Sequence, residues 1–141
     1  MLKLLLCIDG SEPSARALEH AIKTIDRYKE APELHLLNVQ PPLPGDITMF
    51  IRHDQVQQFH NDEGLKALAG ARAKLDSAKR PYVFHIEVGS PAETIVQYAR
   101  EKRCDQICIG TRGLGHFTGM LLGSVTTKVV HLSDVPVLLV K

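Results

Sequence analysis

Gly110-Thr111-Arg112-Gly113-Leu114-Gly115-His116-Phe117-Thr118-Gly119-Met120-Leu121-Leu122-Gly123-Ser124 gathers five of the chain's ten glycines into fifteen consecutive positions. A short apolar run, Gln106–Ile109, leads into it, and a stretch with Val125, Val129 and Leu132 on one helical face leads out. The segment therefore reads as a turn between a strand and a helix. Glycine lets the backbone take φ > 0 and lets a ligand come close to the main chain. Successive amide N–H groups in such a turn form an anion-binding concavity. A helix starting at Gly123-Ser124 adds unpaired donors and the positive end of its dipole. This is phosphate-binding chemistry that needs no lysine.

Outward from that segment, short apolar runs alternate with longer amphipathic stretches. The runs are Leu2–Ile8, Leu34–Val39, Tyr82–Val88, Gln106–Ile109 and Val135–Val140, each a strand buried on most of its surface. His85 and Glu87 interrupt the third, which predicts an edge position. Between the runs, Ala15, Leu18, Ile22 and Ile25 fall on one helical face; so do Leu68, Ala71, Leu75 and Ala78, in a helix starting near His53. Ala92, Ile95, Val96 and Ala99 make a third stripe, opened by Ser90-Pro91-Ala92-Glu93, a capping box with proline at the first helical position. The order βαβαβαβαβ predicts one α/β domain over 1–141, with a parallel sheet, right-handed crossovers and helices on both faces. Pro41-Pro42-Leu43-Pro44-Gly45 opens an irregular connection reaching to about His53, either a lid or a passive excursion.

The 141 residues, 44% hydrophobic and 23% charged, have the composition of a folded soluble domain. A net charge of +1 without a dense basic cluster argues against nucleic acid as a partner. Leu4-Leu5-Leu6-Cys7-Ile8 is too short for a signal-peptide core or a membrane span, so no membrane association is expected. Three cysteines in apolar context suit reduced thiols in the cytoplasm.

Two familiar phosphate motifs fail. No Gly-x-x-x-x-Gly-Lys-Ser/Thr string exists. Gly113-Leu114-Gly115 begins a dinucleotide fingerprint, but Thr118 stands where its third glycine belongs, and the segment follows the fourth strand when it should follow the first. What does occur is Gly-x2-Gly-x9-Gly-Ser, as Gly110, Gly113 and Gly123-Ser124. With it come Asp9-Gly10-Ser11 after the first strand, Val39 ending the second, Gly89-Ser90-Pro91 before the third helix and a final Val-Pro-Val-Leu-Leu-Val. Over its whole length the chain resembles the universal stress protein family, and the glycine motif resembles that of its ATP-binding branch.

The resemblance implies an open, doubly wound, five-stranded parallel sheet of order 3-2-1-4-5, Rossmann-like. Its ligand would sit where the strand order reverses, between strands one and four. It implies that Asp9 contacts the adenine or ribose, that the Val39 backbone bonds the adenine edge, and that Cys7 or Ile8 lines the base pocket. Gly110 and Gly113 would border the ribose and phosphates; Gly123, Ser124 and Val125 would hold the phosphates of ATP (or ADP or AMP). Mg²⁺ would bridge phosphate oxygens. The final strand, 135–140, would pair with a second copy across a two-fold to make a homodimer.

Plainer roles stand beside these. Ser11 reads as a helix cap, and Ser124 can cap as well as bind. Arg112 meets either a phosphate or solvent; His116 reads as a solvent-exposed loop histidine. Cys7 and Cys108 read as small buried hydrophobes. Cys104 and Cys108 lack the further partners a metal site needs. His53, Asp54, His60 and Asp62 read as a solvated helical face. Three functions remain: a nucleotide-holding stress-response or signalling module with little hydrolysis; a slow ATPase or nucleotidyl- or phosphotransferase; and an interaction protein with a vestigial pocket. The scarcity of catalytic side chains in the loop favours the first.

Overall fold

The computed structural model describes residues 1–114 and 121–141. Five strands form one parallel sheet: β1 (Lys3–Cys7), β2 (Glu33–Gln40), β3 (Val83–Val88), β4 (Gln106–Gly110) and β5 (Val137–Val140), in the order β3-β2-β1-β4-β5. The helices are α1 (Glu12–Thr24), a single turn α2 (Gly45–Thr48), α3 (His53–Ser77), α4 (Pro91–Lys102) and α5 (Ser124–Leu132). The sheet order and the edge positions of β3 and β5 agree with the expectation.

Period-two alternation along β1 decides which helix covers which face. Leu4, Leu6 and Ile8 pack with Leu34 and Leu36 of β2 against Leu18 and Ala21 of α1 and Leu68 and Leu75 of α3. Leu5 and Cys7 point the other way and join Leu37, Ile107 and Ile109 under Ile95, Val96 and Ala99 of α4 and Val129 of α5. Each fully buried leucine contributes on the order of 1.5–3 kcal/mol. Gly64 lets α3 lie close on the sheet, since a Cβ there would stand 2.5 Å from Ile86 Cγ2.

Four local expectations need correction. The 41–53 connection is not wholly irregular, because 45–48 form one helical turn, with Met49 and Phe50 exposed just after it. Ser90 makes no side-chain capping bond; Glu93 instead pairs with Lys128 across the α4–α5 contact, which holds its carboxyl below the usual range. Gly123 is the residue flanking α5, so Ser124 is its first helical residue and not its cap. His60 is buried at 5% exposure, and its Nδ1 has no partner among the described residues. Ser11 does cap α1, accepting from the Ser14 amide at 3.3 Å.

All three cysteines are free and buried. Cys7 and Cys108 lie on adjacent strands but face opposite layers. Burial pushes the Cys108 thiol up from its ordinary value of 9.0 to about 11, and moves Cys7 and Cys104 in the same direction. Below about pH 9 both folded and unfolded chains keep these protons, and stability is unaffected. Above it the unfolded chain releases them first, so stability falls, by up to about 1.4 kcal/mol per pH unit for each thiol. Urea titrations from pH 8 to 10.5 should show a falling midpoint, less steep in Cys108→Ala. An equal slope in the variant would contradict the assignment.

Candidate functional site

The connection leaving β1 runs to α1 on one face, and the connection leaving β4 runs to α5 on the other. The two must part above the carboxyl ends of their strands, which opens a crevice there. All ten residues singled out from the sequence line that one cleft: Cys7, Ile8, Asp9, Val39, Gly110, Arg112, Gly113, Gly123, Ser124 and Val125. His116 lies outside the described residues. No residue of 41–53 lines the cleft, so the connection does not cover it in this structure.

The floor is apolar. Leu37, Ile95 and Ile109 border the cleft beside Cys7, Ile8 and Val39. They were legible only as core residues, because their spacing is that of buried strand and helix positions. Pro91 and Thr126 also reach the wall. The Thr126 hydroxyl donates to the Gly110 carbonyl at 2.8 Å and so ties α5 to the end of β4.

Asp9 presents one oxygen without a hydrogen-bond partner among the described residues. Its Oδ1 accepts from both the amide and the hydroxyl of Ser11. Its Oδ2 lies beside Gly113, where an added Cβ would stand 2.7 Å from it. At Gly110 an added Cβ would meet the Pro13 carbonyl carbon at 2.7 Å, so this glycine admits the start of α1. The expectation that these glycines supply φ > 0 is not met: among the described glycines only Gly10 has positive φ, at 85°. Gly110 and Gly113 are there for room.

The wall of the cleft at the start of α5 is built from backbone. The Gly123 amide donates to the Thr111 carbonyl at 2.7 Å, folding the segment back on itself. Among the described residues no side chain caps α5, and no acidic residue sits in its first turn, so its leading amides and positive dipole end face the cleft. Arg112 lines the same space and makes no salt bridge among the described residues. An apolar slot, one carboxylate oxygen, an uncapped helix start and one guanidinium suit a ligand with a flat apolar body, hydroxyls and an anionic tail. No group of three or more His, Cys, Asp or Glu side chains suited to a metal ion occurs among the described residues. No described helix is long and apolar enough to cross a membrane.

Comparison with known proteins finds relatives over the whole chain. Residues 1–141 match the pattern of the universal stress protein family. The universal stress protein YxiE of Bacillus subtilis is 32% identical, over 99% of this chain and 98% of its own length. The universal stress protein MJ0577 of Methanocaldococcus jannaschii is 31% identical over 99% of this chain and 94% of its own. Its solved structure superposes with a TM-score of 0.81 at 29% identity, covering 99% of this chain and 95% of that one. A universal stress protein solved in complex with cAMP gives a TM-score of 0.72 at 26% identity, covering 99% and 97%.

Proposed function

The chain belongs to the universal stress protein family, and on that premise we propose that it is an ATP-binding member, a module that holds the nucleotide and changes its interactions accordingly. The observation that carries this reading is the uncapped start of α5 facing an apolar slot between β1 and β4. Adenine suits the slot floored by Leu37, Ile95 and Ile109 and meets the Val39 backbone. Asp9 Oδ2 accepts from a ribose hydroxyl. Gly123 borders the phosphates, and the amides of Ser124 and Val125 take them, with Arg112 adding charge. Mg²⁺ enters with the ligand, through phosphate oxygens. The cAMP complex of a family member supports an adenine nucleotide as the ligand class.

Holding is favoured over turnover. Asp9, whose Oδ2 is given to the ribose, is the one carboxylate among the described lining residues, which include no histidine, so the described wall offers no base aimed at a phosphate. A second copy pairs through the exposed edge of β5, where Leu139 is 37% exposed. The single domain works in the cytoplasm, and the small net charge suits a partner other than nucleic acid.

Isothermal titration with ATP and Mg²⁺ should give one site per chain, and Gly123→Val should abolish it while the far-UV CD spectrum is kept. No heat at high micromolar protein, or unchanged affinity in the variant, would contradict the site. Multiple turnovers in a phosphate-release assay would contradict holding. Light scattering at micromolar concentration should give twice the chain mass, and Leu139→Arg should give one; a monomeric wild type would remove the β5 pairing.

A further inference from the structure

The ladder between β1 and β2 ends one rung early, at the cleft. Cys7 stands opposite Leu37, and the Ile8 amide still donates to the Leu37 carbonyl at 2.9 Å. In a parallel pair each residue bonds two partners spaced two apart on its neighbour. The next rung would therefore run from the Val39 amide to the Ile8 carbonyl. That rung is absent among the described residues. The Ile8 carbonyl accepts instead from Asn38 Nδ2, at 2.8 Å.

Asn38 is suited to hold that bond. It is 2% exposed. Its Oδ1 accepts from Gln40 Nε2 at 2.7 Å, which turns its own Nδ2 toward Ile8. The main-chain groups of β2 alternate in direction, and the Gln40 carbonyl faces β3, accepting from the Gly89 amide at 3.0 Å. Those of Val39 face β1, as Leu37's do, and neither its N–H nor its C=O has a partner among the described residues. Val39 lines the cleft.

We propose that Asn38 is a positioning residue for base recognition: by taking the Ile8 carbonyl it keeps the Val39 donor and acceptor open to the ligand. The inference rests on the adenine-nucleotide reading above and adds the device that sets its base preference. An N–H and C=O on one residue complement the N1 acceptor and 6-amino donor of adenine. Guanine presents a 6-oxo acceptor and an N1–H donor, which reverses the pattern and leaves a desolvated polar group unpaired. Without Asn38 the Ile8 carbonyl is free to accept the Val39 amide, and the rung closes.

Amide hydrogen exchange by NMR and nucleotide titration, on wild type and Asn38→Ala, test this together. In nucleotide-free wild type the Val39 amide should exchange at least about tenfold faster than the paired β2 amides before it, and ATP should slow it. In Asn38→Ala the Val39 amide should become protected without ligand, ATP affinity should fall about tenfold, as for one lost hydrogen bond, and the preference for ATP over GTP should shrink. A protected Val39 amide in nucleotide-free wild type overturns the inference. So does an equal loss of ATP and GTP affinity in the variant, which marks a merely structural role. Should Asn38→Ala fail to fold, Asn38→Leu fills the volume without restoring the donor, and the wild-type exchange rates decide on their own. A wild type that binds no ATP refutes the nucleotide reading itself; one that binds ATP, with a variant that binds it equally and with the same preference, refutes only the role of Asn38.

Discussion

The central position of β1 is the constraint on which the other features of this structure depend. It is hydrogen-bonded to β2 on one side and β4 on the other, and both its faces are covered. Such a strand must be apolar at every position, which is why Leu4-Leu5-Leu6-Cys7-Ile8 shows no alternation. Its own chain continues into α1 on one face and that of its neighbour β4 into α5 on the other, so the space beyond their carboxyl ends belongs to neither helix. The cleft is a consequence of topology before any binding residue is considered. Asp9 stands at its mouth because the strand ends there.

The polar parts of the cleft are then held by bonds that reach back into the sheet. Thr126 ties α5 to the Gly110 carbonyl, and Gly123 ties the returning segment to Thr111. The Thr111 amide in turn donates to the Val140 carbonyl at the end of β5. The α5 end of the cleft and the last strand of the sheet are thus two bonds apart. Most of these contacts are between backbone groups, so the cleft is preorganised by the fold with few side chains.

The order of strands and main helices and the covering of both sheet faces were legible in the sequence because burial imposes periodicity, and periodicity survives without coordinates. The ten cleft residues were legible through the spacing of Gly110, Gly113 and Gly123-Ser124 and through the resemblance that spacing carries. What was not legible depends on contacts between distant segments. Glu93 looked like half of a capping box, but Lys128, far along the chain, outcompetes the helix end for it. His60 looked solvated because its helix is polar around it, yet it falls on the buried side of α3. The glycines of the loop suggested unusual dihedrals, while Gly110 and Gly113 are instead required by Pro13 and Asp9. Asn38 lay inside the run Leu34–Val39 and drew no reading of its own, since strand periodicity does not show which carbonyl a buried amide side chain will take.

The proposal that one adenine nucleotide lies across the carboxyl ends of β1, β2 and β4 with its phosphates on α5 is tested most directly by a ¹⁵N–¹H correlation titration of the labelled chain with ATP and Mg²⁺. Shifts are expected at Ile8, Asp9, Val39, Gly113 and Gly123–Val125, saturating together at one equivalent. Shifts that are absent, or that fall instead on the α1–α3 surface around Glu19 and Lys74, would contradict it.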